Sequence, residues 1–377
     1  MSITILHHML KNYFPLWYSS SRWTDDPIMR KYFFCNTFRV LDKVSQYIIH
    51  EVIEKGSQKP TELVFRITLF NLFTKIETWE LLVRELGPLT WPRYNRTNYQ
   101  RVLDRAKQRG IKLYTGAFQK PAPHFEFAEA HMNHLILLEI LMENDLAGRL
   151  LNARYMAEVY EYLISFPSMG EFSTYQLMLN LSYSSVLNFS NMDFVVTGPG
   201  AISGLSKMFG RSLKQAKQAV PGIEEEIIRW LAKYQDTQFK RLGLEFLGLG
   251  PSRLPMDLAD IEHTLCEVDK YSRMAHPNLK GKRTEMRGRF NPSRGIYPTE
   301  PILPKAWSHP ARMTVRIRRG GPPVVEKRYT VRRIGSHRDG ENGLEYKVYW
   351  VGYAEGTWEP EVSLKADAPI AVAEYWG

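Results

Sequence analysis

Two cysteines in 377 residues, Cys35 and Cys266, are too few for a disulfide scaffold. The ten histidines are scattered, and neither a pair of CxxC motifs nor an HExxH sequence marks a metal site. No glycine spacing has the GxxxxGK(S/T) form that cradles a nucleotide phosphate, and no internal repeat is present. No apolar stretch reaches the roughly 20 residues needed to cross a bilayer. The opening MSITILHHMLKNYF breaks its short apolar run at His7 and His8 and lacks a signal-type cleavage site. These absences exclude a disulfide-framed secreted module and set a reducing intracellular compartment, with no membrane partner, as the expectation.

What is present is enough apolar material for one large core and a small second module, at 44% hydrophobic residues. The formal charge of +10 is not spread evenly. Residues 280–340 alone carry 16 Lys/Arg against 4 Asp/Glu, so the remainder is close to neutral. A neutral globular body with one basic segment places polyanion contact on that segment, and charge alone does not name the partner.

From residue 36 onward apolar positions recur at three and four residues, as in FRVLDKVSQYIIHEVI and ELVFRITLFNLFTKIETWELLVREL, the pattern of helices burying one face. The segments HFEFAEAHMNHLILLEILMEN, ARYMAEVYEYLISF, VPGIEEEIIRWLAKYQDTQFKRLG and MDLADIEHTLCEVDKYSRMA continue it, for about ten helices in all. Residues 1–275 therefore read as a helical domain. Residues 276–326, rich in proline and arginine, read as a linker, and residues 327–377 as a domain of short curved strands and a final helix.

The last segment holds Tyr329, Trp350, Tyr353 and the run TWEP at Thr357–Pro360. This spacing resembles a chromodomain. The resemblance implies that Tyr329, Trp350 and Tyr353 form a cage for methyl-lysine, whose ammonium is drawn to aromatic faces. It also implies that Glu326–Arg332 and Glu359–Val362 flank an added peptide strand, with a methylated histone tail as partner and the nucleus as location. Trp358 is expected in the core. Arg332 stands where an acidic residue is usual, and the YAEGTW turn is short.

Ordered motifs in the body resemble the helical-domain family of the 5-hydroxymethyluracil DNA kinases, relatives of thymine pyrophosphorylases. They are RVLDKVSQ with Arg39, Asp42 and Gln46; Arg66 and Phe70 before Thr78, Trp79 and Glu80; Tyr175 and Gln176; Gly198, Pro199 and Gly200 with Gly204; and CEVDKYSR with Glu267, Lys270 and Arg273. The resemblance implies a mainly α body distantly like helix-hairpin-helix DNA glycosylases, joined to the small chromodomain. Spacing by three and four would let Arg39, Asp42 and Gln46 share one helix face, and Glu267, Lys270 and Arg273 another. Arg66 adds positive charge. Such trios are otherwise ordinary ion-pair networks.

In this reading Asp42 or Glu267 activates a hydroxymethyl oxygen while Arg39, Arg66, Lys270 and Arg273 neutralise phosphoryl charge, with ATP and Mg2+ as cofactors if the body is catalytic. Trp79, Tyr175 and Tyr271 are candidates for stacking on an extruded base or for packing, and Gln176, beside Tyr175, joins Trp79 and Tyr175 as a candidate DNA-binding residue. Gly198 and Gly200 could present backbone N–H groups to a DNA phosphate near Lys207, or form a simple turn. The chain departs from the family pattern at Asn180, where an aspartate is expected, at Thr74 for an asparagine, and at Glu262 and His263. An asparagine cannot act as a charged base. Three functions compete: a DNA 5-hydroxymethylpyrimidine kinase on chromatin, a non-catalytic chromatin-binding protein, and a glycosylase-like enzyme acting on a modified base.

Overall fold

The computed structural model describes residues 24–116, 120–125, 127–279, 284–286, 288–290, 300–318, 329–341, 343–351, 353 and 355–376. It divides into two compact units: the described residues of Met1–Lys55, Tyr155–Ala157 and Met178–Arg319, and those of Gly56–Arg154, Glu158–Leu177 and Gly320–Gly377. The body is mainly helical, and the sheet is confined to the C-terminal module. Among the described residues no helix is long and apolar enough to cross a membrane.

In the first unit α1 is Pro27–Lys31 and α2 is Lys43–Tyr47, continued by a π-helical turn over Ile48–Ile53. The expected single helix through FRVLDKVSQYIIHEVI is broken. Arg39–Leu41 is a 3-10 turn, and Asp42, with φ −59° and ψ 141°, is the N-cap of α2. The break has a tertiary cause, because the Arg39 backbone N–H donates to Asp260 Oδ1 at 2.7 Å. Arg39, Asp42 and Gln46 therefore do not share one helical face.

The second unit holds α3 (Pro60–Phe73), α4 (Ile76–Leu86), α5 (Arg96–Gln108), α6 (Ala130–Glu143) and α7 (Leu146–Asn152). Helices α3 and α6 are buried almost all round, as suits the predominantly apolar runs LVFRITLFNLF and HLILLEILM. Residues of α8 (Met156–Ile164) and α9 (Glu171–Leu181) fall in both units.

The first unit continues with α10 (Pro199–Phe209), α11 (Arg211–Ala219), α12 (Ile223–Arg241) and α13 (Leu258–Ala275). Pro199 opens α10, where its missing N–H costs nothing. Helix α13 starts at a reciprocal capping box: the Asp257 side chain accepts from Asp260 N at 2.9 Å, and Asp257 N donates to Asp260 Oδ2 at 3.1 Å. It is buried on nearly every face, including Asp260, Glu262, His263, Glu267 and Asp269.

Helix α10 lies against α13 at backbone distance. A Cβ on Gly204 would stand 2.2 Å from the Leu265 carbonyl oxygen, and one on Gly200 would stand 2.6 Å from Cys266 Sγ. The two glycines are thus required by packing, not by turn geometry.

Residues 300–318 do not behave as a spacer. Gln46 clamps Ile302 in both directions, donating to its carbonyl at 3.1 Å and accepting from its N–H at 2.9 Å. The buried Arg312 guanidinium donates to the carbonyls of Ser182, Ser184 and Leu187, and burial lowers its pKa to about 10. Arg316 donates to Asn188 O at 2.8 Å and stacks 4.6 Å from the Phe189 ring. Part of the basic segment's charge is therefore folded into the body.

The C-terminal module is an antiparallel sheet of β1 (Val331–Gly340), β2 (Gly343–Trp350) and β3 (Thr357–Pro360) in that order. Registers Val331↔Trp350, Ile334↔Val348 and Val348↔Thr357 place Ile334, Tyr346 and Val348 in a core closed by Leu364 and Val372. Gly335 sits at an irregularity of register, where a Cβ would meet the Tyr349 ring at 2.5 Å. The expected final helix is two, α14 (Glu361–Asp367) and α15 (Pro369–Trp376). They part at Ala368 because the residue before a proline leaves the helical region.

Gly204→Ala should lower the urea-unfolding free energy of the body by about 1–3 kcal/mol, as overpacking of a closed helix contact does. Gly210→Ala, where a Cβ meets nothing within 4 Å but φ is +57°, separates backbone strain from packing.

Candidate active site

The unusual feature of the body is a set of ionisable groups gathered by α13 and the segment before α2. Arg39, largely buried, supplies the positive charge that opposes ionisation-disfavouring burial at Asp42, Asp257, Asp260 and Glu262. Burial still prevails. It raises Asp42 and Asp257 to about 6 and Glu262 to about 7. Asp260 is held well above the carboxylate range by burial and by the neighbouring Asp257 charge.

The second half of the site is one helical turn further along α13. His263 and Glu267 are four residues apart and face Cys35 and Asp42 of the preceding segment. Asp42 Oδ2 lies 3.5 Å from His263 Nε2, and Cys35 N donates to Glu267 Oε2 at 3.2 Å. Lys270 Nζ lies 2.6 Å from Glu267 Oε1 and 3.9 Å from Cys35 Sγ. Burial alone would lower the Lys270 pKa, but the charges of Glu267 and Cys35 raise it. Glu267 is 1% exposed and the Lys270 side chain 32%, so solvent and any substrate approach from the side of Lys270 and the half-buried Asp42.

Of the residues singled out in the sequence, Arg39, Asp42, Glu267 and Lys270 converge. Gln46 faces Ile302 and the Val40 carbonyl instead. Arg273 is bonded to Asp269 and to the Glu285 carbonyl. Asn180 is buried near the end of α9. Arg66, in the other unit, donates to Ser57 O at 2.8 Å, and burial lowers its pKa against the pull of Glu62. Trp79, Tyr175 and Gln176 are also buried, and Trp79 meets the Phe70 ring edge-on at 5.9 Å.

The Gly-Pro-Gly segment is committed to protein contacts. Gly198 N–H donates to Glu262 Oε1 at 3.0 Å, and Thr197 donates through its backbone and hydroxyl to Glu225 Oε1. Lys207 is buried, with Nζ 2.8 Å from Asp269 Oδ1. Burial alone would raise the Asp269 carboxyl, but bonds from Lys207, Arg273 and Ser203 outweigh it and lower the pKa. A separate cleft between α12 and α13, lined by Leu231, Phe239, Met256, Leu265 and Val268, is apolar and uses another face of α13.

Sequence reasoning passed over Cys35 and His263. A usable signal was the His263 to Glu267 spacing of four on a predicted helix; nothing in the sequence pointed to Cys35.

In the C-terminal module Tyr329 meets Trp350 at 5.8 Å and Tyr353 at 5.7 Å between ring centroids, with Tyr329 50% exposed. Trp350 Nε1 donates to Thr357 Oγ1 at 2.7 Å, and Thr357 donates to Glu359 Oε1 at 2.6 Å, so TWEP orients the indole. Trp358 is not in the core. It lies half-buried beneath the Arg338 guanidinium, 4.2 Å from its ring, because its register partner Lys347 faces away from the Tyr346–Val348 core. Glu326, expected to flank the peptide, lies outside the described residues.

Comparison with known proteins accords with both parts. Residues 17–281 match the family described as 5-hmdU DNA kinase, helical domain. The chain belongs to this family. Residues 329–377 match the chromo (chromatin organisation modifier) domain. A 5-hmdU DNA kinase of Bacillus phage SP10 is 23% identical over 295 residues, which cover 71% of this chain and 45% of that protein. The chain thus spans under half the length of that relative. No solved structure matches. A domain of the 5-hmdU DNA kinase helical-domain family is thus followed, in one chain, by a segment that matches the chromo domain.

Lys207→Ala should lower stability by about 1–3 kcal/mol, the cost of removing a buried charged partner. It should leave the salt dependence of DNA binding unchanged; a slope reduced by about 1 would mark a phosphate contact instead.

Proposed function

We propose that the helical body phosphorylates the hydroxymethyl oxygen of an oxidised pyrimidine in DNA, and that the chromodomain holds the protein at methyl-lysine-bearing histone tails in the nucleus. The observation that carries the first part is Asp42, half-buried at the mouth of the site, with its pKa raised to about 6 and Lys270 in the same cluster. A carboxylate titrating near neutrality suits a base for an alcohol at physiological pH.

In the step proposed, Asp42 takes the hydroxyl proton as the oxygen attacks the γ-phosphorus of ATP. The bond from that phosphorus to the bridging oxygen breaks, and ADP leaves. Lys270 offsets charge on the transferring group. Mg2+ bound with the nucleotide would neutralise phosphate charge.

A second reading, non-catalytic recognition of DNA, is favoured by the hydrogen bonds that already occupy Glu267 and by Asn180, which cannot act as a charged base. The two separate on one experiment. The full chain is incubated with duplex DNA carrying 5-hydroxymethyluracil, 5-hydroxymethylcytosine or uracil, with and without ATP and Mg2+, and the nucleosides are analysed by mass. A phosphorylated nucleoside, reduced about 10²–10⁴-fold by Asp42→Asn, is the expected result. DNA binding without product supports the second reading, and released free base would indicate the glycosylase-like one.

The cage reading is supported by the Tyr329 ring, which lies 5.8 Å from Trp350 and 5.7 Å from Tyr353, with both tyrosines exposed. Trimethyl-lysine peptides should bind the full chain more tightly than unmodified ones by calorimetry. Tyr329→Ala should remove most of the difference, about tenfold or more in Kd, since a desolvated cation–aromatic contact is worth about 1–2 kcal/mol. Equal affinity for both peptides in the unsubstituted chain would refute the cage.

A further inference from the structure

Three groups of the site form an arrangement that neither the family assignment nor the phosphotransfer reading calls for. Cys35 Sγ, a ring nitrogen of His263 and a carboxylate oxygen of Glu267 all lie within 4.8 Å of one another. The geometry points to a binding site for a thiophilic divalent cation of the Zn2+ type, with Cys35, His263 and Glu267 as protein ligands and Asp42 beside the open position.

Four observations carry this. His263 Nε2 is buried and makes no hydrogen bond among the described residues, although Asp42 Oδ2 is 3.5 Å away. An imidazole nitrogen left so in a polar cluster is the lone pair a metal takes. Lys270 Nζ stands 2.6 Å from Glu267 Oε1 and 3.9 Å from Cys35 Sγ, so a cation already sits against two of the three donors. His263 and Glu267, at i and i+4 of one helix, are fixed on one face by the backbone. The Cys35 loop is in turn fastened to Glu267 by its own N–H, so the three donors do not depend on chance rotamers.

The donor types decide the class of ion. One sulfur, one nitrogen and one carboxylate oxygen suit Zn2+ or Co2+, whereas Mg2+ takes oxygen ligands and near-octahedral geometry. Three protein ligands with a position left over describe a site able to hold water or a substrate oxygen. Charge also balances. Lys270 Nζ provides the positive charge in the structure described, and its partly exposed side chain can turn to solvent when an ion supplies that charge. Cys35 loses its thiol proton to solvent as its sulfur–metal bond forms, so loading releases about one proton per ion.

The inference stands apart from phosphotransfer, because the readout is the ion itself and not turnover. The full chain is saturated with Zn2+ or Co2+, passed through a desalting column and analysed for metal, and the Co2+ form is examined by absorption. About one ion per chain is expected, as for a single built site. The Co2+ form should show a near-ultraviolet sulfur-to-cobalt charge-transfer band. That band should vanish in Cys35→Ser and persist in Cys266→Ser, which removes the only other thiol. His263→Gln should weaken retention at least tenfold, with circular dichroism confirming the fold. Substoichiometric retention by the unsubstituted chain, or a band indifferent to Cys35→Ser, would overturn the proposal. Should Cys35→Ser not fold, the band in the unsubstituted chain together with its loss in His263→Gln decides the matter.

Discussion

The first unit depends on a single electrostatic arrangement, the burial of Arg39 among the carboxylates of Asp42, Asp257, Asp260 and Glu262. Removing this many ionisable groups from water is costly unless charges are paired or carboxyls stay protonated. The structure uses both means. The Arg39 backbone N–H satisfies Asp260, Gly198 N–H satisfies Glu262, and Asp257 and Asp260 cap one helix between them. The position of α2, the start of α10 and the first turn of α13 are all fixed by this one network.

That arrangement explains why the family motifs, far apart in sequence, are found together. RVLDKVSQ, the Gly-Pro-Gly turn and CEVDKYSR meet because Arg39, Gly198 and Cys35 each bond to an acidic residue of α13. The glycines belong to the same construction. Without a Cβ at Gly200 and Gly204, α10 approaches closely enough for the N–H of its N-cap, Gly198, to reach Glu262. A residue that reads as a phosphate contact in sequence is thereby a packing element in three dimensions. The same holds for Lys207, which neutralises Asp269 two turns later.

Much of the architecture is legible from pattern alone, and the failures share a cause. Recurring apolar residues mark α3 to α6, α12 and α13 as helices, although α3, α6 and α13 are buried on nearly every side and not on one face. Aromatic spacing with TWEP picks out Tyr329, Trp350 and Tyr353 of the small module, whose rings meet. Periodicity cannot show that the polar side of α13 is also buried, because it assigns Asp, Glu and His to solvent. It likewise misses the break at Asp42, which is imposed by the bond of Arg39 to Asp260, 221 positions further on, and the docking of residues 300–318, whose arginines find backbone carbonyls. Trp358 fails in the opposite direction. A tryptophan in a strand of a small domain suggests core, yet the alternation of β3 against β2 turns it outward under Arg338.

The buried network also fixes how the site responds to pH. Asp42 and Asp257 have folded values of about 6 against 3.8, and Glu262 about 7 against 4.5, all through burial. Groups so raised favour the folded state fully below their unfolded values, and that contribution is lost as pH rises through about 6 to 7. Ionising them strains the pairing with the one Arg39 guanidinium, so the site carries a fraction of its negative charge as protons near neutrality.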